Sequence, residues 1–422
     1  MKYAVVTFGC RVNQADSLAI EDQLRRRGAV SAPPEHADTV IINTCSVTAG
    51  ADQGARQAVR RIVRSNPNVK VVVTGCYATH RPEDVRDLPN VVQVVGNAQK
   101  ESLVAGLDAA VEWTTAERFN QGDGPCGMSL EPGVAGRTAL TLRVQTGCDE
   151  ACSYCIIPRT RGAGRSRPIP EVIREIRLAV DAGYREIAIT GVHLGSYGRD
   201  LDDRTTFTRL IGILSEWPDD VLFRISSLEP MDCTPEIVEA AAGSPRLAPH
   251  FHLPLQHGSD VVLQAMRRPY SSDYYRRLVE LIRARIPHAA VGTDVIVGFP
   301  GETADDFRIL RELLPTLPVT HLHVFPYSDR PGTAASRLGD KVDGGEIRAR
   351  AREVRAIGES KSAAFRVSQQ GQTLRGLVVD DGLTVVTGNY LKVRTTQRRD
   401  RNSWVRVRVD GADPLVGSVL PE

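Results

Sequence analysis

KVVVTGC, residues 70–76, sets a short apolar, β-branched run directly against a glycine and a cysteine. A run this short, apolar at successive rather than alternate positions, suits a strand covered on both faces, as in a parallel sheet. The pattern occurs twice more upstream, where YAVVTF (3–8) leads to Cys10 and TVIINT (39–44) leads to Cys45. Polar stretches of helical character lie between, such as DSLAIEDQLRRRG, which opens on capping residues and stops at Gly28. Strand and helix therefore alternate, which predicts a parallel α/β sheet with right-handed crossovers. All strand carboxyl ends of such a sheet share one edge, where these folds hold ligands, so Cys10, Cys45 and Cys76 are predicted to converge. Three unrelated buried cysteines are the plainer alternative, and recurrence after three successive strands argues against it.

The 422 residues predict about three domains, and their composition is ordinary for a globular protein: 41% hydrophobic and 25% charged. A net charge of +2 means that any nucleic-acid partner must be met by a local basic patch. No apolar run is long enough to span a membrane, and the N-terminus lacks a signal-peptide pattern, so a cytoplasmic protein with no membrane partner is expected. Eight cysteines in that compartment point to metal or redox chemistry rather than disulfides.

The expected domains are an N-terminal α/β domain over 1–111, a Gly/Pro-rich linker over 112–137, a second α/β domain over 138–345, a connecting helix over 346–366 and a small antiparallel β-barrel over 367–422. Six strands are predicted in the second domain, at 139–145, 186–190, 221–225, 250–255, 292–297 and 320–325, with helices at 170–182, 206–215, 234–242, 272–285 and 303–314. Six are too few for a closed eight-stranded barrel, which leaves a partial (β/α)6 barrel with its site at the strand carboxyl ends.

Cys148, Cys152 and Cys155 form C-x3-C-x2-C directly after the first of these strands. Thiolates are the protein ligands of iron-sulfur clusters, and three of them leave one iron of a four-iron cluster open. A structural zinc site is the competitor and wants four ligands, usually from repeated pairs or added histidines. His252 and His257 are read as packing or hydrogen-bonding residues, and Cys126 and Cys233 as incidental.

C-x3-C-x2-C with Tyr154 before its last cysteine resembles the signature of radical S-adenosylmethionine enzymes. GCRVNQ, NTCSVT and TGCYA in the first domain narrow the resemblance to the methylthiotransferase family. CSYCIIPRTRGAGRSRP, TGVHLGSYG, RISSLEP, HLPLQHGSD, TDVIVGFPGET and HVFPYSDRPGT support it, and the terminal barrel is similar to that family's TRAM domain. The resemblance implies a radical SAM core, two [4Fe-4S] clusters held by three cysteines each (Cys10, Cys45, Cys76 and Cys148, Cys152, Cys155), and S-adenosyl-L-methionine. The second triad is then catalytic, generating a radical, while the first delivers the methylthio group.

GCRVNQ and TGCYA resemble the MtaB branch, which places a methylthio group on C2 of N6-threonylcarbamoyladenosine beside the tRNA anticodon. Alternatives are isopentenyladenosine in tRNA, an aspartate of a ribosomal protein, and, in a different class, a non-catalytic iron-sulfur electron carrier or a zinc-dependent nucleic-acid-binding protein. His257 in LPLQHGSD departs from MtaB wording toward the branch that modifies the ribosomal protein.

Tyr154, Gly191, Ser226, Glu229 and Gln256 lie at predicted strand ends and are expected to contact S-adenosylmethionine. Arg159, Arg161, Arg165 and Arg167 follow the second triad with no acid among them, and Lys392, Arg394, Arg398, Arg399 and Trp404 belong to a basic patch on the barrel; both sets are expected to contact RNA. The expected partners are a tRNA anticodon stem-loop and a one-electron reductant of flavodoxin or ferredoxin type, acting on a monomer.

Overall fold

The computed structural model describes residues 1–107, 138–201 and 205–421, so the expected linker and Cys126 lie outside the described residues. The N-terminal sheet has five parallel strands: β1 (Lys2–Thr7), β2 (Val30–Ser31), β3 (Thr39–Thr44), β4 (Lys70–Gly75) and β5 (Val91–Val95). Their order is β2-β1-β3-β4-β5, which makes the three cysteine-bearing strands neighbours. β3 is buried along its whole length because it sits mid-sheet with helices on both faces. Helix Arg11–Arg26 follows β1, and helix Ala49–Ser65 follows β3, its N-terminus capped by the Thr48 side chain accepting from Ala51 N. The sequence reading passed over β2 and β5; β5 is only partly buried at the sheet edge, and its glutamine interrupts the apolar run.

The central domain contributes β6 (Leu140–Arg143), a two-residue hairpin pair β7 (Gln145–Thr146) and β8 (Arg165–Ser166), then β9 (Glu186–Thr190), β10 (Leu222–Ile225), β11 (His250–His252), β12 (Ala290–Val297) and β13 (His321–Pro326). β6-β9-β10 and β11-β12-β13 form two parallel sheets, joined by bridges from Phe223 to Leu247 and from Ser227 to His252. The result is an open six-stranded half-barrel in which β6 and β13 do not pair. Helix Arg11–Arg26 packs on β6, and helix Gly344–Ser368 packs on β13, covering both edges. Among the described residues no helix is long and apolar enough to cross a membrane.

The C-terminal barrel closes through β14 (Thr373–Val379), β15 (Thr384–Thr387), β16 (Lys392–Thr395), β17 (Trp404–Ala412) and β18 (Leu415–Val419), in the order β14-β15-β16-β18-β17. It departs from the wholly antiparallel expectation at one pair, β16 with β18, which is parallel. An odd number of strands cannot close with every neighbour antiparallel.

Candidate functional site

Because β1, β3 and β4 are adjacent and parallel, the loops at their carboxyl ends meet. Cys10 caps helix Arg11–Arg26, Cys45 follows β3, and Cys76 opens helix Cys76–His80. Gly9 makes the approach possible: its φ is +93°, and a Cβ there would lie 2.6 Å from Cys45 Cβ and 2.7 Å from its Sγ. Burial pushes the Cys45 thiol up to about 12, and the neighbouring Cys76 and Cys10 add to the shift. Asn97 Nδ2 lies 3.6 Å from Cys76 Sγ, placed to donate to it.

The second triad occupies the loop between β7 and the short helix Ile157–Arg161. Cys148 N donates to Gly162 O at 3.0 Å and Cys155 N to Cys152 O at 3.2 Å, which folds the loop back on itself. Burial pushes the Cys155 thiol up to about 12, with Cys152 and Cys148 contributing in the same direction. Arg268 Nη1 donates to Cys152 Sγ at 3.2 Å. His193 Nδ1 is 3.9 Å from Cys148 Sγ, and its Nε2 is 2.8 Å from Asp232; burial works against the imidazolium, but Asp232 and Cys148 outweigh it and raise His193 to about 9.

Each triad thus gathers three thiols whose thiolate forms need a shared positive group. Among the described residues the trio whose donor atoms all fall within 4.8 Å of one another is His252, Asp294 and His323, not either cysteine triad. Three thiols are a donor set that a multi-iron cluster takes, and N–H donors aimed at Cys76 and Cys152 are the contacts that tune such clusters.

A cavity of about 1180 Å³ starts at Gly9, Cys10 and Cys45, passes Thr190, Gly191 and Ser226 at the half-barrel's carboxyl edge, and ends against Tyr390 and Lys392 of the C-terminal barrel. Of the residues expected to hold S-adenosylmethionine, Gly191 and Ser226 line it, and Ser226 Oγ is buried without a hydrogen-bond partner. Tyr154 packs with Met266 and Phe299, burial raising its phenol well above the usual value, and Glu229 pairs with Arg268. Those two residues therefore converge on Cys152 through Arg268. Gln256 ends β11's extension at φ +66°, its backbone bonded to Asp294 O and Ile296 N.

The arginine run divides. Arg159 and Arg165 are exposed. Arg161 is not a free RNA contact: it is buried and bonds Asp16 at 2.9 Å, together with Asn13, because the helix that ends there turns it toward the N-terminal domain. Arg167 is likewise committed, to Glu175 at 2.6 Å and Arg143 O at 3.4 Å. On the barrel, Lys392, Arg394, Arg398 and Arg399 are exposed, with Arg394 paired to Asp381 at 2.7 Å. Trp404 is no open stacking platform, since its Nε1 donates to Asp220 O at 3.4 Å and the Arg375 guanidinium lies 4.0 Å above its ring, docking the barrel on the half-barrel.

Sequence reasoning did not single out Asp16, Lys100, Arg143, His193 or Arg268. Asp16 accepts from Lys100 at 2.9 Å, from Arg161 at 2.9 Å and from Arg143, joining the first two domains beneath the cavity. Nothing in the local pattern marks an acid in the first turns of a helix as buried. His257 is buried, faces Glu302 at 3.7 Å and is not among the residues that line the cavity. Cys233 is buried in the half-barrel core.

Residues 2–96 match the uncharacterized protein family UPF0004, and residues 142–314 match the Radical SAM superfamily. Threonylcarbamoyladenosine tRNA methylthiotransferase MtaB of Aquifex aeolicus is 34% identical over 420 residues, covering 97% of this chain and 100% of that one. The protein of the same name from Bacillus subtilis is 33% identical over 419 residues, covering 98% and 91%. The tRNA-2-methylthio-N(6)-dimethylallyladenosine synthase of Carboxydothermus hydrogenoformans is 32% identical over 433 residues, covering 94% and 96%. Among solved structures, the radical S-adenosylmethionine methyltransferase TsrM of Kitasatospora setae, with cobalamin and a [4Fe-4S] cluster bound, aligns at a TM-score of 0.56 with 16% identity over 79% of this chain and 73% of that one, a likeness of fold.

Proposed function

The chain belongs to the MtaB-like radical S-adenosylmethionine methylthiotransferases, and from that premise we propose that it replaces the C2 hydrogen of N6-threonylcarbamoyladenosine, beside the tRNA anticodon, with a methylthio group. The observation that carries the reading is a cavity lined by Cys10 and Cys45 of the first triad and by Ile157 and Arg161 of the short helix that follows the second. When bound, two [4Fe-4S] clusters and S-adenosylmethionine supply the radical that removes the unactivated hydrogen and the sulfur that replaces it. Cys148, Cys152 and Cys155 hold one cluster; Cys10, Cys45 and Cys76 hold the other.

The remaining residues position and shield. Arg268 donates to Cys152 and is itself oriented by Glu229, while Ser226 Oγ offers an uncommitted hydrogen bond at the cofactor edge. Exposed Arg159 and Arg165 beside the second triad, with Arg398 and Arg399 on the barrel, give the anticodon stem-loop phosphates two places to bind. A base in such a loop is unstacked at low cost. The reductant is a one-electron carrier of flavodoxin or ferredoxin type, the enzyme acts as a monomer, and the C-terminal barrel serves as a TRAM-like module.

Gly9→Ala separates the two cluster sites. The added Cβ collides with Cys45, so anaerobically reconstituted protein is expected to hold about four irons per chain instead of about eight. Full iron content in this variant would contradict the placement of the first cluster. Function itself is tested by mass spectrometry of tRNA nucleosides from a strain lacking the gene: loss of 2-methylthio-N6-threonylcarbamoyladenosine supports the reading, and an unchanged profile contradicts it.

A further inference from the structure

The cavity continues beyond the first triad and the half-barrel's carboxyl edge, and its far end carries a cluster of imidazoles. There β11, β12 and β13 turn His250, His252, Asp294, His321 and His323 inward. The rings form a continuous wall: Tyr390 lies 5.0 Å from His250, His250 6.4 Å from His321, and His321 5.4 Å from His323, centroid to centroid. Gly292 leaves room for it, since a Cβ there would press into the His321 ring.

Asp294 accepts from His252 Nε2 at 2.9 Å and from His323 Nδ1 at 3.2 Å, so its charge is taken up within the wall. The bond to Asp294 raises His323, whereas burial and the neighbouring imidazoles hold His321 down at about 4. Lys392 of β16 also lines the cavity and has no ion pair among the described residues. Arg366 is anchored by its Nε donating to Ala412 O at 3.1 Å, which leaves its terminal nitrogens uncommitted among the described residues. Asp413 is the other acid on the lining.

Phe365, Leu391 and Leu415 line the same end, but an apolar prenyl side chain on N6 packed against them would leave the imidazoles and long cations desolvated without a partner. A threonylcarbamoyl side chain ends in a carboxylate and a hydroxyl, and both are satisfied by N–H donors. We propose that His323, Lys392 and Arg366 form the subsite that holds the threonyl carboxylate of the substrate's N6 side chain, and thereby select threonylcarbamoylated over prenylated adenosine. The inference rests on the methylthiotransferase reading above.

Two synthetic anticodon stem-loop RNAs test it, one carrying N6-threonylcarbamoyladenosine and one carrying the same nucleoside with its carboxylate converted to a carboxamide. Hydrogen bonds to a charged group are worth enough that the wild type is expected to favour the carboxylate RNA by about 10–100-fold in kcat/KM. Lys392→Gln and Arg366→Gln are each expected to narrow that ratio to about threefold or less, and Lys392→Arg to restore it. Equal use of both RNAs by the wild type would overturn the proposal. So would variants that weaken both RNAs by the same factor, as phosphate-backbone contacts do. If the wild type makes no methylthio product from either RNA, the functional reading itself fails; product without discrimination sinks the carboxylate subsite alone.

Discussion

Cys148→Ala is expected to abolish formation of 5'-deoxyadenosine from S-adenosylmethionine, whereas Cys76→Ala keeps that activity and yields no methylthiolated RNA. The asymmetry follows from geometry. Cys148 belongs to a tight loop closed by its own backbone, with Cys152 held by Arg268, so removing one thiol leaves two ligands for a cluster that has an iron open already. Cys76 belongs to the N-terminal domain and opens a separate helix, Cys76–His80, that carries none of the second triad's thiols. Anaerobic assays that quantify 5'-deoxyadenosine and modified nucleoside in the same reaction separate the two roles. Methylthiolated product from the Cys76 variant would refute the division of labour.

Asp16→Ala is expected to be the most destabilising single change at the domain junction. Asp16 is buried, and removing it leaves Lys100 and Arg161 buried with no counter-charge. Breaking a buried ion network from one side costs about 3–5 kcal/mol. Burial alone would raise the Asp16 carboxyl, but Lys100, Arg161 and Arg143 outweigh it and hold it at about 2. A carboxyl depressed in the folded state contributes stability that is fully present above its unfolded value near 4 and is lost as pH falls through about 2. Chemical denaturation of wild type and variant should therefore show a gap that is wide at neutral pH and closes between pH 4 and 2. A gap that stays constant over that range, or is absent at neutral pH, would contradict the network.

The cysteine triads stand out in the sequence because the first follows three successive apolar strands and the second has a spacing that admits three thiols and no fourth. Strand β3 and helix Ser272–Arg285 lie where the sequence placed them, since fully apolar runs and capped amphipathic ones have few alternatives. The arginine run was not legible residue by residue. Arg159 and Arg161 stand two apart on one short helix, and which of them faces solvent is decided by a domain that packs from elsewhere in the chain. Asp16 and Lys100 were invisible for the same reason, being 84 residues apart and joined only by the fold. The histidine wall did leave a trace: His321, His323 and Phe325 alternate along β13, the period of one strand face, and all three line the cavity.

The central claim is that one chain, through its two cysteine triads, installs a methylthio group on N6-threonylcarbamoyladenosine. Its most direct test is to incubate anaerobically reconstituted wild-type protein with a reductant, S-adenosylmethionine labelled in its methyl group and an anticodon stem-loop bearing that nucleoside, and then to digest the RNA and weigh its nucleosides. The account predicts 2-methylthio-N6-threonylcarbamoyladenosine carrying the label; unmodified nucleoside recovered alongside abundant 5'-deoxyadenosine would contradict it.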